Sequence, residues 1–457
     1  MQRFVPELSR RVGGDIEMRC VELRISYASC QRGSGWNDQK RKRLARGAKM
    51  KPSRVVPAFS GSDVRLKFSE RWKDSIRVAG PAKIRILFPN MTSLRPNERN
   101  LNWNQRVVLA PSWVHLRVVT GRKTLIGVEL PGNVELVRAR LPGRLGFFFS
   151  AVREMVLARR HGIRIVMSDR SAVSLLAWAC RPVGRYQWVL DIWDAPHKEL
   201  TTRYRTGSGV NAALRRFASR AKVIGLRGVA RRADLLLTSV LPATLSAYGI
   251  SPSRLRTFGN AIEVPPVGAL SPQPRPCSIC FVGRRVPPDR GILRLVEAVE
   301  GLRNTGVTIE VTIAGEVSDD LARDIRARDP AGQVRLLGEI PIDRAHRLMS
   351  ESRIGVLPYD ANPDLSYIFP VKLLEYLAFG CVVVASDLPG IRTLVRDDHE
   401  GLLVPPGDVD ALTSALKRAL TQDELASRIS KAGRERALIF DSKSKMAELY
   451  ATVSALI

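Results

Sequence analysis

Five consecutive apolar residues, Cys381 to Ala385, follow a helical segment without a polar interruption. Such a run suits a strand covered on both faces, as in a parallel sheet. Parallel strands cannot be joined by tight turns; they need crossover connections, usually helices. The segment before the run supplies one. Pro370 stands where the first helical position is expected, and its missing N–H is harmless there. Leu373, Leu374 and Leu377 repeat on one face, with Glu375 on another, and Gly380 ends the segment. The stretch from Tyr367 to Asp408 therefore reads as loop, helix, strand, loop, short hairpin, loop. In such a unit the helix N-terminus points its N–H groups beyond the sheet edge, a ready site for an anion such as phosphate.

The same alternation runs through most of the chain. Strands are expected at Ile84–Phe88, VELVRARLP, IRIVMSD, QWVLDIWD and ADLLLTSV, with helical spacing in GFFFSAVREMVLARRH (Gly146 to His161), around Ser174 to Ala179, and in a second basic amphipathic segment from Asn211 to Arg232. RLRTFGNAIEV closes this half, and the Pro-rich stretch Val264 to Pro276 reads as a linker. A second series follows: CSICFVG, GILRLVEAVEGLRN, VTIEVTIAG, VRLLGEI, AHRLMSESR and IGVLPYD, then the stretch already described and terminal helices. The fold class is α/β, with two Rossmann-like domains facing a cleft. The expected division is a basic, poorly ordered extension over 1–82, one Rossmann-like domain over 83–265, a second over 266–430, and a terminal helix over 431–457 packing back on the first.

Charge narrows the partners. Lys and Arg number 73 against 44 Asp and Glu, a net charge of +29. That balance attracts nucleic acid, an acidic membrane surface or phosphorylated substrates, or reflects an Arg-rich codon bias with no partner behind it. The run QKRKRLARGAKMK could meet anionic lipid or nucleic acid, or be an idle solvated tail. No apolar run reaches the ~18–20 residues that span a bilayer, and the N-terminal residues lack the apolar core of a secretory signal. A cytoplasmic location is expected, with peripheral attachment to the inner membrane face as a further possibility. The six cysteines (Cys20, Cys30, Cys180, Cys277, Cys280, Cys381) suggest no disulfide framework. Cys277 and Cys280 form a lone CxxC inside a strand-like segment, so no metal site is expected.

Several residues could carry chemistry. Phe281 to Gly291, FVGRRVPPDRG, is expected as a loop at the carboxyl end of a strand, where open α/β sheets bind ligands. Gly283 permits close backbone approach, and Arg284 and Arg290 could clamp two phosphate groups, although surface arginine pairs near turns are common. Glu375 could accept hydrogen bonds from a ribose diol; spacing alone favours a solvent-exposed helix position for it. Asp191 and Asp194 in VLDIWDAPH, with His197 beyond, follow a strand of the first half. They could hold a sugar hydroxyl or move a proton across the cleft, and they could equally be loop residues capping a helix. GxxxxGK[ST], HExxH, GxSxG and paired-Cys zinc patterns are all missing.

Taken together and in order, these pieces resemble the retaining glycosyltransferases of family 4, also called group 1, which have the GT-B fold. FPVKLLEYLAFGCVVVASDLPGIRTLV with EGLLVPPGD is similar to their donor-binding segment, FGNAIEV to their interdomain element, and FVGRRVPPDRG to their diphosphate loop. The resemblance spans roughly residues 84–457 and is strong from Phe281 on. It implies that Arg284 and Arg290 contact the donor diphosphate and that Glu375 binds the donor ribose. It also implies that Gly283, Pro370, Val371 and Lys372 border the diphosphate, that Leu337 and Ile340 pack the base, and that Asp194 stands near the transferred sugar. The first Glu of the family's paired-Glu motif falls at Tyr367, a departure from the pattern. The implied reaction moves a sugar from a nucleotide-sugar donor to a glycan or lipid-linked acceptor, with no metal and no cofactor, in cell-surface polysaccharide or glycolipid biosynthesis. Two alternatives differ from it: a catalytically degenerate GT-B protein that binds nucleotide-sugar, and a basic nucleic-acid-binding protein suggested by charge alone, without a reading motif.

Overall fold

The computed structural model describes residues 84–89, 102–120, 130–139, 141, 143–168, 171–192, 224–225, 227–239, 245, 255–270, 278–307, 309–361 and 369–457. The extension read over 1–82, most of the basic segment from Asn211 to Arg232, and Cys277 lie outside the described residues.

Two parallel sheets form the scaffold. The first contains β1 (Ile84–Pro89), β2 (Val114–Thr120), β3 (Val134–Arg138), β4 (Ile165–Ser168), β5 (Gln187–Ile192), β6 (Leu235–Thr238) and β7 (Leu255–Thr257). They lie in the order β3-β2-β1-β4-β5-β6-β7. The second contains β8 (Ser278–Arg285), β9 (Glu310–Glu316), β10 (Val334–Leu336), β11 (Ile354–Leu357), β12 (Val382–Ser386) and β13 (Leu402–Val404). Its order is β10-β9-β8-β11-β12-β13. Every pairing is parallel. Both orders are those of doubly wound dinucleotide-type sheets, which reverse direction beside the first strand. In the second sheet that switch point falls between β8 and β11.

The helices of the first half are α1 (Asn102–Val108), α2 (Gly143–Val156) and α3 (Ser171–Gly184); those of the second are α4 (Ile292–Arg303), α5 (Asp319–Arg328), α6 (Ile342–Glu351), α7 (Val371–Ala378), α8 (Pro389–Arg392), α9 (Val409–Thr421) and α10 (Asp423–Ala437). α11 (Ser442–Ser454) is last. α2 and α3 cover one face of the first sheet. The other face carries Val107 of α1 together with Met446, Leu449, Tyr450 and Val453 of α11. The Tyr450 hydroxyl donates to the Arg106 carbonyl at 2.6 Å, tying the last helix to α1.

Residues 431–457 are thus not one helix. Residues 431–437 finish α10 on the second half, a 3-10 turn (Leu438–Phe440) follows, and α11 begins afterwards. That turn runs beside the outgoing linker: Ile262 N–H donates to the Phe440 carbonyl at 2.9 Å, and Ser442 N–H to the Ile262 carbonyl at 2.7 Å. The two chain crossings are therefore held side by side.

Local chemistry corrects three sequence expectations. Pro370 is the N-cap residue and not the first helical one; α7 starts at Val371. The expected hairpin after β12 does not form. β13 pairs parallel to β12, with Val384 opposite Leu402, because α8 intervenes and provides a crossover. The Asp397 carboxylate accepts the Leu403 N–H at 2.8 Å and fixes where β13 begins. Finally, Arg284 lies within β8 and not in a loop: the strand runs on through a bulge to pair Arg285 with Glu316.

Candidate functional site

The switch point of the second sheet gathers the residues singled out by sequence. At the end of β8, Val282 N–H donates to the buried Tyr376 hydroxyl of α7 at 2.8 Å. Burial pushes the Tyr376 phenol well up, so it stays a neutral hydrogen-bonding group. The Tyr376 ring lies over Gly355 of β11, where a Cβ would meet it at 2.3 Å. α7 is therefore pinned to both strands flanking the switch point. Its far end closes in a Schellman arrangement: Gly380 N–H donates to the Leu377 carbonyl and Cys381 N–H to the Tyr376 carbonyl. Ser430 Oγ of α10 donates to the Gly380 carbonyl at 2.7 Å. The N-terminal turn, with Pro370, Val371 and Lys372, is thereby aimed beyond the strand ends.

The diphosphate-loop segment meets this turn from the other side. Gly291 has φ of +67°, and a Cβ there would lie 1.7 Å from the Pro358 carbonyl oxygen. Only glycine fits this approach. Asp360 N–H donates to the Asp289 carbonyl at 3.2 Å, and Arg294 Nε donates to Asp360 Oδ1 at 2.6 Å. The loop is thus clamped to the segment leaving β11. The Arg290 guanidinium sits 4.6 Å from the Tyr359 ring centroid. Burial pushes the Tyr359 phenol up, partly opposed by Arg290.

Arg284 projects into solvent, its Nε 3.8 Å from Glu339 Oε1. Glu339 lies between the half-buried Leu337 and Ile340, so Arg284 and that pair border one region. The strand ends beneath are drawn close. A Cβ on Gly315 would fall 2.4 Å from the Gly283 carbonyl oxygen, and Gly315 N–H donates to the Gly338 carbonyl at 2.7 Å.

Glu375 is buried and not solvent-exposed: it is 2% exposed and paired with Lys372, Nζ to Oε2 at 2.6 Å. Its charge is compensated one helical turn from the α7 N-terminus, and Lys372 points at this carboxylate. His346 of α6 stacks on Phe379, centroids 4.7 Å apart. Burial holds its imidazole below the usual histidine range, Glu375 pulling the other way and Lys372 adding to the depression. Its Nε2 is buried and has no hydrogen-bond partner among the described residues.

The structure does not place every sequence candidate here. Asp191 is on β5, wholly buried, and forms an ion pair with Arg106 of α1, Nη2 to Oδ1 at 3.1 Å. It belongs to the first half's core, not to a cleft. Asp194, His197 and Tyr367 lie outside the described residues. Reading the sequence missed Tyr376, Tyr359 and His346, and also Asn260, whose Nδ2 donates to the Phe369 carbonyl at 2.5 Å across the two halves. The polar Asn inside FGNAIEV was the one available signal.

Two doubly wound sheets, chain crossings bound side by side and cationic groups at the second switch point define the GT-B class. Residues 276–422 match the family model described as Glycosyl transferases group 1. That segment is similar to the group 1 glycosyltransferases, and the described residues carry the GT-B fold.

Among curated relatives, the chain is 29% identical to a phosphatidyl-myo-inositol mannosyltransferase of Mycolicibacterium smegmatis over 180 residues, 39% of this chain and 45% of that protein. It is 34% identical to the amylovoran biosynthesis glycosyltransferase AmsK of Erwinia amylovora over 144 residues, 31% of this chain and 35% of that one. The chain thus spans about half or less of the length of these relatives. Among solved structures, Anabaena Alr3699/HepE in complex with UDP superposes with TM-score 0.60 at 15% identity, covering 82% of this chain and 100% of that one. Sucrose-phosphate synthase from Thermosynechococcus elongatus superposes with TM-score 0.59 at 18% identity, covering the same shares. These likenesses show the fold. Among the described residues no helix is long and apolar enough to cross a membrane.

Proposed function

We propose that the chain is a retaining glycosyltransferase that moves a sugar from a nucleotide-sugar donor to a glycan or lipid-linked acceptor, in the cytoplasm, for cell-surface polysaccharide or glycolipid synthesis. One observation carries the reading: Arg284, Arg290 and the α7 N-terminus, with its Lys372–Glu375 pair, border the switch point of a doubly wound sheet. A nucleoside diphosphate leaving group develops negative charge as the anomeric carbon–oxygen bond breaks. Two guanidinium groups and a helix N-terminus suit that charge, and they do so without a metal ion. Leu337 and Ile340 offer half-buried apolar surface for a base beside Arg284. The Glu375 carboxylate, buried against Lys372, is set to accept from a ribose diol.

The comparisons support the substrate classes by analogy. One structural neighbour holds UDP, and the relatives' names point to a lipid-linked and a polysaccharide acceptor. Tyr367, in place of the family's first Glu, favours a second reading, a donor-binding protein without turnover. Incubation with UDP-, GDP- and ADP-sugars together with glycan and lipid-linked acceptors separates them. Active transfer releases nucleoside diphosphate and gives a product with the donor's anomeric configuration by NMR. Binding without release supports the second reading, and an inverted product rules out retention.

A further inference from the structure

The segment that carries Arg290 has little backbone freedom. Pro287 and Pro288 fix two successive φ angles, a single 3-10 turn (Pro288–Arg290) follows, and Arg290 N–H donates to the Pro287 carbonyl at 3.1 Å. Beyond it, Gly291 abuts the Pro358 carbonyl and opens α4. What remains free in Arg290 is a long side chain, and long side chains surrender rotamer freedom when they bind. The Arg284 side chain, 74% exposed, has most of that freedom still to lose. The Arg290 side chain is 25% exposed, because its guanidinium is already seated over the Tyr359 ring, 4.6 Å from the centroid.

The ring that receives it is itself locked. Tyr359 is buried, and Ser386 Oγ at the end of β12 donates to its carbonyl at 2.7 Å. Its two chain neighbours are the residues clamped to the loop, Pro358 against Gly291 and Asp360 against Asp289. With its phenol kept neutral by burial, the ring retains the negative face that attracts a cation. The Asp289 carboxylate stands 3.9 Å from Arg290 Nε, beyond hydrogen-bond distance. The ring, and not that carboxylate, therefore sets the plane of the fork. A guanidinium donates within its own plane. Stacking its face on a ring fixes that plane while leaving N–H edges for phosphate oxygens.

We propose that Tyr359 is the positioning residue for Arg290, holding its guanidinium in the plane in which the fork meets a nucleoside diphosphate. Tyr359 acts through Arg290 and not on the ligand. It removes the ordering that an unrestrained arginine would undergo on binding, which raises affinity without adding a contact. The device is particular to arginine, since a lysine ammonium is a point charge with no plane to be set. The inference rests on the reading of the second switch point as a diphosphate site. It also carries its own bound: removing the ring face can weaken binding no more than removing Arg290 itself.

Calorimetric titration of UDP, GDP and ADP provides the test, into the full chain, Tyr359→Phe, Tyr359→Leu, Arg290→Ala, and Tyr359→Leu combined with Arg290→Ala. Tyr359→Phe keeps the ring face and should bind within about twofold of the unaltered chain. Tyr359→Leu keeps apolar bulk but loses the face, and should weaken the nucleotide that binds about three- to tenfold. In the Arg290→Ala background the same change should alter affinity by less than about twofold. Thermal unfolding without ligand verifies that each variant folds; should Tyr359→Leu fail, Tyr359→Met fills the space and takes its place in the cycle. A tyrosine with only a packing role moves both backgrounds alike, so equal losses with and without Arg290 overturn the proposal. It is overturned equally by full affinity in Tyr359→Leu, by a loss there larger than in Arg290→Ala, or by a loss in Tyr359→Phe as large as in Tyr359→Leu. Binding of none of the three nucleotides by the unaltered chain overturns the diphosphate reading and this inference with it, whereas binding with additive losses overturns the inference alone.

Discussion

Tyr376→Phe isolates one bond that holds the candidate site together. The ring is wholly buried against Gly355, and phenylalanine keeps that packing. What is lost is the hydroxyl that accepts the Val282 N–H at 2.8 Å. Val282 immediately precedes Gly283 and Arg284, so the bond joins α7 to the strand end that carries the first cation. A buried N–H left without an acceptor costs about 1–3 kcal/mol. For a domain the size of the second half, that corresponds to a melting temperature lower by about 2–12 °C. Circular dichroism melts measure it, and calorimetric titration with a nucleoside diphosphate should show weaker binding. A shift below about 1 °C with unaltered nucleotide affinity would refute the claim that this bond sets the distance from α7 to β8.

Three further outcomes are expected. Gly291→Ala must place a side chain at φ of +67° against the Pro358 carbonyl; strain and displacement together should cost about 2–5 kcal/mol in urea unfolding. Asp191→Ala leaves the buried Arg106 without its carboxylate and should destabilise by about 3–5 kcal/mol, with nucleotide affinity unchanged. The His346 imidazole is held below its ordinary value of 6.5, first by burial, with Glu375, Lys372, Glu263 and Asp343 around it. The unfolded chain therefore binds that proton more readily. Its contribution to stability is complete above the ordinary value and lost as pH falls through the window towards the lowered one. In His346→Gln, stability followed against pH should lack this slope.

The sheet scaffold was legible because apolar runs such as Cys381–Ala385 can be satisfied only between two covering layers. The same runs placed the Phe281–Gly291 segment, with Arg290 in it, at the carboxyl end of a strand; the strand orders that make switch points came only from the structure. Long-range partners were not legible. Asp191 looked like a cleft residue because its partner, Arg106, stands 85 positions earlier in the chain. Glu375 looked exposed because it lies off the leucine face of α7. That helix, however, packs on α10 as well as on the sheet, and Lys372 makes the buried carboxylate tolerable. The hairpin expected near Leu402 failed because turn-like residues such as Asp397 and Asp398 also serve to start a parallel strand. Arg284 was read as a loop residue because β8 continues past its apolar stretch through pairing with β9.

The central claim is that the second switch point binds the diphosphate of a nucleotide-sugar. Calorimetric titration of UDP, GDP and ADP into the full chain, and into Arg290→Ala and Glu375→Ala, tests it most directly. At least one nucleotide should bind the unaltered chain. Loss of the Arg290 charge-assisted contact should weaken it about tenfold or more, and Glu375→Ala should abolish measurable binding. Equal affinity in both variants, or binding of none of the three nucleotides, would contradict the account.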